Sequence, residues 1–160
     1  MPRELPTDNA RRAENMWQYA TVIDLDCGQR PPAVKVVLDD NDDSEAERQT
    51  TDWIPFAQPR AGKGYIWMPP QVGEQGIVLS SGGEMETLLF VCGVFADEFL
   101  PENPSADLTE IRFPNDDFFS HDKGDLTINC TGNITIQSGA NFTVSASGTA
   151  SINGSKVLLN

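Results

Sequence analysis

The last 37 residues, 124–160, constrain the fold of this chain more than any other feature. Five glycines, at positions 124, 132, 139, 148 and 154, divide this segment into short units, and apolar and polar residues alternate within each unit. This alternation predicts strands that carry one apolar face, joined by turns. Disorder with chance alternation is the competing interpretation.

A single copy of this segment has nothing of its own to pack against its apolar stripe, and it would leave bare strand edges. Three copies closed around one axis would bury the stripe and pair the edges between chains. We therefore expect an obligate homotrimer in which residues 124–160 form an intertwined β-helix or β-prism, a thin rigid spike. The predicted trimer core consists of Leu126, Ile128, Cys130, Ile134, Ile136, Phe142, Val144, Ile152, Val157 and Leu159.

The net charge of −13 lies entirely in residues 1–123, since Asp125 and Lys156 are the only charged residues beyond that point and they cancel. Because a chain this acidic would repel the phosphate backbone of nucleic acids, we expect no nucleic-acid partner. No apolar run approaches the roughly 20 residues of a membrane span, and the N-terminus lacks the apolar stretch of a secretory signal. The three cysteines show no CxxC spacing, and we expect them to be reduced.

Residues 17–95 read as a series of short strands without a convincing helix among them. Strands are predicted at 19–25, 33–38, 52–55, 65–68, 76–80 and 87–95, with a turn at 27–32. Five to six strands over about 80 residues are typical of a small closed barrel of the oligonucleotide/oligosaccharide-binding (OB) type. The predicted fold class is therefore all-β, with an OB-fold barrel followed by the trimeric spike.

Two further segments complete the predicted organisation. Residues 1–16 are expected to form an N-terminal arm, with a short exposed helix or a partner-bound segment over 7–16 that starts at Thr7 or Asp8. Residues 96–123 are expected to be a connector that holds a hairpin, with strands at 110–114 and 117–120 around Pro114-Asn115-Asp116. This connector is too short for an enzyme domain.

The sequence carries no recognisable catalytic motif, and we expect no enzyme. The acidic run 39–47 fails as a calcium loop, because Ser44 stands where the sharp turn needs glycine and Thr50 where a bidentate Glu is needed, so a solvated hairpin loop is expected. His121 is the only histidine and no nucleophile elbow is present. Asp24 and Asp26 share a strand face but have no neighbouring cleft. We expect no catalytic residue, no metal site and no cofactor.

A motif in the second half of the barrel resembles the phage baseplate assembly protein V family, the central tail spikes of Mu-like contractile-tailed phages. This family is related to the spikes of R-type pyocins and type VI secretion. The blocks that carry the resemblance are Asp52-Trp53-Ile54-Pro55, Pro59-Arg60-Ala61-Gly62 and the run from Trp67 to Ser80, which contains Pro69, Gly73 and Glu74. The resemblance also includes Arg12-Ala13-Glu14-Asn15 before the first strand, and it runs in order along the chain to the glycine-punctuated tail.

The resemblance implies a homotrimer whose barrel collar docks on baseplate hub proteins and whose needle pierces the host outer membrane when the sheath contracts. It places the protein in the virion tail baseplate, or in a pyocin-like particle, after assembly in the bacterial cytoplasm. Many members of the family carry a His-x-His motif that binds iron at the tip. No histidine follows His121 here, so we expect no apical iron and a separate protein that caps the C-terminal end.

Two other interpretations are open. Trp53, Tyr65 and Trp67 could stack on sugars in a carbohydrate- or receptor-binding trimeric fibre, although we expect these rings to be buried in the barrel. Some relatives carry a hydrolase, but the connector leaves no room for one.

Overall fold

The structure is a computed structural model that describes residues 8–39 and 49–158. The chain divides into two compact units, residues 1–104 and 105–160. Of the acidic run 39–47, only Asp39 is among the described residues. Thr7 and Leu159 also lie outside them.

The first unit begins with helix α1 (Asp8–Glu14) and continues with strands β1 (Trp17–Asp26), β2 (Ala33–Leu38), β3 (Ile54–Pro55), β4 (Gln75–Ser80) and β5 (Leu88–Val94). A 3₁₀ turn at Ser81–Gly83 joins β4 to β5, and another occupies Asp97–Phe99. The helix predicted near residue 8 is confirmed, and most predicted strands lie within two residues of the observed ones.

The five strands form one antiparallel sheet in the order β3-β2-β1-β4-β5. Just beyond β3, Phe56 forms a parallel bridge with Phe90 of β5, and the Ala57 amide donates to the Phe90 carbonyl at 2.8 Å. The chain just beyond β3 therefore reaches β5, and the sheet is curled into a half-barrel. This geometry fits the predicted OB domain.

Small and branched apolar side chains fill the concave side of the curled sheet around one large ring, Phe90, which is completely buried. The other core residues are Ala20, Val22, Val34, Val36, Leu38, Ile54, Val78 and Leu88. Cys92 packs against this core and is half-buried rather than fully buried, and burial raises the pKa of its thiol.

The strand predicted at Tyr65–Met68 is wrong. This segment is an irregular loop with a single bridge, between Ala61 and Tyr65. The Gln58 side chain occupies both backbone groups of Met68, accepting from its amide and donating to its carbonyl at 2.9 Å each. The next two residues, Pro69 and Pro70, have no amide hydrogen, so they cannot extend a ladder of strand hydrogen bonds beyond Met68.

The second unit holds a three-stranded antiparallel sheet of β6 (Leu108–Arg112), β7 (Phe118–Asp122) and β8 (Asp125–Asn129). The predicted hairpin is confirmed, and Asp116 takes a positive φ of 65° in its turn. Within the described range, residues 130–158 form no strand in the single chain. The trimeric β-helix stays a prediction, since it requires backbone partners from other chains.

Candidate assembly surfaces

The family-motif residues Gly73 and Glu74 form a turn that is bonded to the middle of β1. The Gly73 amide donates to the Val22 carbonyl at 2.8 Å, and the Val22 amide donates to the Glu74 carbonyl at 2.9 Å. The Glu74 carboxylate also accepts from the Gln71 amide at 3.0 Å. Gly73 has a φ of +92°, and a Cβ there would lie 3.4 Å from the ring of Phe99, so both conformation and space favour glycine.

Asp52 and Trp53 lie just before β3. The Asp52 carboxylate accepts from the Trp53 amide at 2.8 Å, and Lys35 of β2 places its ammonium 4.9 Å from the centroid of the half-buried Trp53 ring. This cation–π contact joins the motif to the neighbouring strand. Trp53 is therefore a structural residue of the half-barrel.

The remaining motif residues lie in the long loop between β3 and β4. The Arg60 carbonyl accepts from the Ile66 amide at 3.1 Å, and the Gly62 amide donates to Gly64 at 3.2 Å. Pro69 is half-buried, whereas Tyr65 is 72% and Trp67 48% exposed. The expectation that these two aromatic rings are buried is wrong, because this segment is a loop and not a strand of the sheet.

The outer face of the half-barrel is apolar across three strands. One cross-strand row is Trp17, Leu79 and Leu89, and the next is Tyr19, Ile77 and Val91. Four of these six large side chains are exposed, namely Trp17, Tyr19, Leu79 and Leu89. We call these six residues the outer OB face. It carries no charged residue, although the chain as a whole is strongly acidic.

Helix α1 is fixed beside this sheet at the turn after β4. Arg12 forms an ion pair of 2.6 Å with Glu84, and the Ser80 amide donates to the Met16 carbonyl at 3.0 Å. Gly83, which has a φ of +74°, faces the backbone of Arg12, and a Cβ there would lie 2.6 Å from the Arg12 Cα. The close approach of helix and turn therefore depends on glycine.

The predicted trimer core is exposed in the single chain. Apart from Cys130, which is half-buried, and Leu159, which is outside the described residues, its members all lie at the surface, from 48% at Val157 to 77% at Ile152. Large apolar side chains at this density on a surface are a feature of interfaces.

Asp117 fixes the point at which the tail leaves β8. Its carboxylate accepts from the Thr131 amide at 2.9 Å, from the Thr131 hydroxyl at 3.0 Å and from the Asn115 side chain at 2.9 Å. These hydrogen bonds, the one from the Thr131 amide above all, lower the pKa of the Asp117 carboxyl. Sequence analysis did not single out Asp117, because its partner lies 14 residues away.

Asp24, Asp26 and His121, the residues weighed as candidates for catalysis, have only local contacts. The Asp24 and Asp26 carboxylates accept from the nearby amides of Leu25 and Gly28, at 2.9 and 2.8 Å. His121 lies exposed on β7, opposite Leu126. No group of three or more His, Cys, Asp or Glu residues suited to a metal ion occurs in the described ranges, and no described helix is long and apolar enough to cross a membrane.

The half-barrel coincides with a known domain. Residues 18–95 match the model of the type VI secretion system/phage-baseplate injector OB domain. Residues 18–95 are therefore an OB domain of the type VI secretion system/phage-baseplate injector kind. The resemblance read from the motif is thus confirmed.

A similar protein in this family is the Spike protein of Escherichia phage P2, 38% identical over 65 residues. The aligned stretch covers 41% of this chain and 31% of the P2 protein, so it spans about a third of that relative's length.

Proposed function

We propose that three copies of this chain form the central spike of a contractile-tail baseplate. In this proposal the OB domains dock on baseplate hub proteins, and the three tails wind into a needle that pierces the host outer membrane when the sheath contracts. The protein acts mechanically rather than as an enzyme, and its place is the tail of the virion or of a pyocin-like particle. The match of residues 18–95 to the baseplate injector OB domain and the similarity to the Spike protein of phage P2 support this role.

The observation that carries the trimer is the exposed apolar stripe of the tail. Ile136, Val144 and Ile152 are each at least 68% exposed, and each lies within an alternating polar–apolar segment. Full burial of one such side chain stabilises a structure by about 1.5–3 kcal/mol, so a stripe of this length left in water would forgo a large stabilisation. Three copies around an axis remove the stripe from water and supply the missing strand partners.

The outer OB face supports docking on the baseplate. Its six apolar residues form a continuous patch with no charge, on a chain whose net charge is −13. An uncharged patch is the part of such a surface that another protein can cover without desolvating carboxylates.

The solution mass tests the trimer. Sedimentation equilibrium of the full chain should give three times 17.5 kDa, that is 52.5 kDa. Ile136→Lys should shift the protein toward monomer, because a lysine ammonium is costly in a dry core. Thr135→Lys, which adds the same charge at the neighbouring position of opposite phase, is the matched control and should stay trimeric. A monomeric wild-type chain would refute the proposal.

The role in the particle needs a second measurement. Deleting the gene from the phage or prophage that encodes it should yield tails that lack central spike density in electron micrographs and that do not infect or kill. Wild-type protein supplied in trans should restore both properties, whereas Ile136→Lys should restore neither. Normal infectivity of the deletion would exclude the spike role.

A carbohydrate-binding fibre is the second candidate, because the exposed rings of Tyr65 and Trp67 are the kind of surface on which sugars stack. One observation weighs against it: the Trp67 ring packs against Phe56 with centroids 6.1 Å apart, which covers part of its surface. Binding of the wild-type trimer on a glycan array, lost in Trp67→Ala, would favour the fibre over the spike.

A further inference from the structure

The three-stranded sheet of the second unit has one apolar face that is open to solvent. Ile111, Phe119 and Ile128 lie directly opposite one another across β6, β7 and β8. They are 46%, 42% and 57% exposed. Antiparallel sheets normally turn such a row toward a core, so this face lacks a partner within the described part of the chain. We call these three residues the neck row.

The opposite face of the same sheet is mixed in polarity and better covered, with Leu108 and Phe118 half-buried on it. Its central row is Glu110, Ser120 and Thr127, and Ser120 is buried. Arg112 on this face bonds Glu110 at 2.9 Å. The sheet therefore has one face that is partly covered within the chain and one apolar face without a partner among the described residues, which is the pattern of a sheet that buries its open apolar side in an assembly.

The neck row is continuous with the apolar stripe of the tail. Ile128 belongs to both, and an open groove beside it is lined by Phe119, Ile128 and Ile134, the next member of the stripe. Asp117 holds Thr131 at this junction and so fixes how the tail continues from β8. A surface that covers the stripe from its first residue would meet the neck row as well.

Charge and composition identify the occupant as further copies of this chain. The neck row and its neighbours toward the β7–β8 turn, Thr109, His121 and Leu126, include no Asp, Glu, Lys or Arg. On the other side of the row lies Asp117, whose carboxylate is hydrogen-bonded to Thr131 and Asn115. Copies with a net charge of −13 repel one another, so uncharged apolar surface is where they can meet. The tail stripe, which the neck row continues, is itself proposed to close on two copies.

We propose that the trimer interface begins at β6: the neck rows of three chains pack together as the first layer of the core that the tail continues. This inference rests on the proposed trimeric spike. It adds Ile111 and Phe119 to the interface, and it makes the sheet a neck that aligns the three tails before they wind together.

Full-length variants test the neck. Phe119→Lys and Ile111→Lys should raise the chain concentration at which half of the trimer dissociates by about tenfold or more, since each puts three charges into one dry layer. Asn129→Lys adds the same charge on the opposite face of β8 and should leave that concentration unchanged. Phe119→Leu, which keeps the position apolar, should dissociate at nearly the wild-type concentration.

The outcomes separate this inference from the proposed function. If the wild-type chain is monomeric, the spike proposal itself fails. If it is trimeric and Phe119→Lys dissociates no more readily than Asn129→Lys, the neck inference is overturned while the spike stands. Should the lysine variants not fold, Phe119→Ala in a urea dissociation series replaces them: a midpoint equal to that of wild type refutes the neck, and a lower midpoint with the monomer still folded supports it.

Discussion

Gly76 of β4 packs directly against the core ring of Phe90, and its replacement by alanine should destabilise the OB domain. A Cβ at this position would overlap the carbonyl oxygen of Val91 and lie 2.6 Å from the ring of Phe90. Phe90 is the completely buried centre of the core, and Val91 belongs to the paired strand β5, so neither can move away without disturbing the sheet. Overpacking of this kind costs about 1–3 kcal/mol. We expect Gly76→Ala to lose that amount of unfolding free energy.

Gly64→Ala is the matched control. Gly64 has no atom within 4 Å of a built Cβ and no positive φ, so alanine should leave the free energy of unfolding unchanged or raise it by about 0.4–1 kcal/mol. Urea unfolding followed by tryptophan fluorescence suits the comparison, because all three tryptophans, at positions 17, 53 and 67, lie in the first unit. All samples need one chain concentration, since any association between chains would contribute to the apparent stability. Equal urea midpoints for the two variants would refute the packing argument.

Two further side chains lead to predictions of their own. Hydrogen bonds from Thr131 and its neighbours depress the pKa of Asp117 below its ordinary value of 3.8. The contribution of the Asp117 carboxylate to stability is therefore complete above that pH and is lost as the pH falls through the depressed value. Asp117→Asn should lower the urea midpoint at neutral pH, and on acidification to about pH 3 its midpoint should fall by less than that of wild type, while Asp125→Asn should follow wild type. Gln58→Ala removes both hydrogen bonds to Met68, so hydrogen exchange at residues 59–68 should become faster, and the free energy of unfolding should fall by about 1 kcal/mol. Unchanged exchange would show that other contacts hold the loop.

The strands of the half-barrel were predictable because their signals are local. Residues 33–38 alternate around Lys35 with β-branched neighbours, and the observed β2 has the same bounds. The loop at 65–68 is also rich in residues that favour strands, but a side chain from position 58 and two following prolines determine its structure. A contact between residues ten positions apart leaves no periodic trace in the sequence.

The two faces of β1 show a second limit of sequence reasoning. Alternation separates Trp17, Tyr19 and Ile23 from Ala20 and Val22, but it does not say which set lies inside. In the structure the smaller residues face the core and the larger ones lie outside, because Phe90 already fills the concave side. The outer OB face became visible only when the strands were paired, and the same is true of the neck row, whose members come from three separate segments.

The acidic charge of the chain determines which of its surfaces could hold several copies together. Three chains that assemble bring together a formal charge of −39, three times −13, and all of it lies in residues 1–123. Such copies associate only through surfaces that carry no charge themselves and that bury enough apolar area to outweigh the repulsion. The tail stripe and the neck row carry no charge and expose large apolar side chains, and two of the three neck-row residues, Ile111 and Phe119, lie in the acidic part of the chain. An interface that started only at residue 124 would leave the charged collars to repel one another without a nearby cohesive layer, whereas an interface that starts at β6 places cohesion directly beside the repulsion.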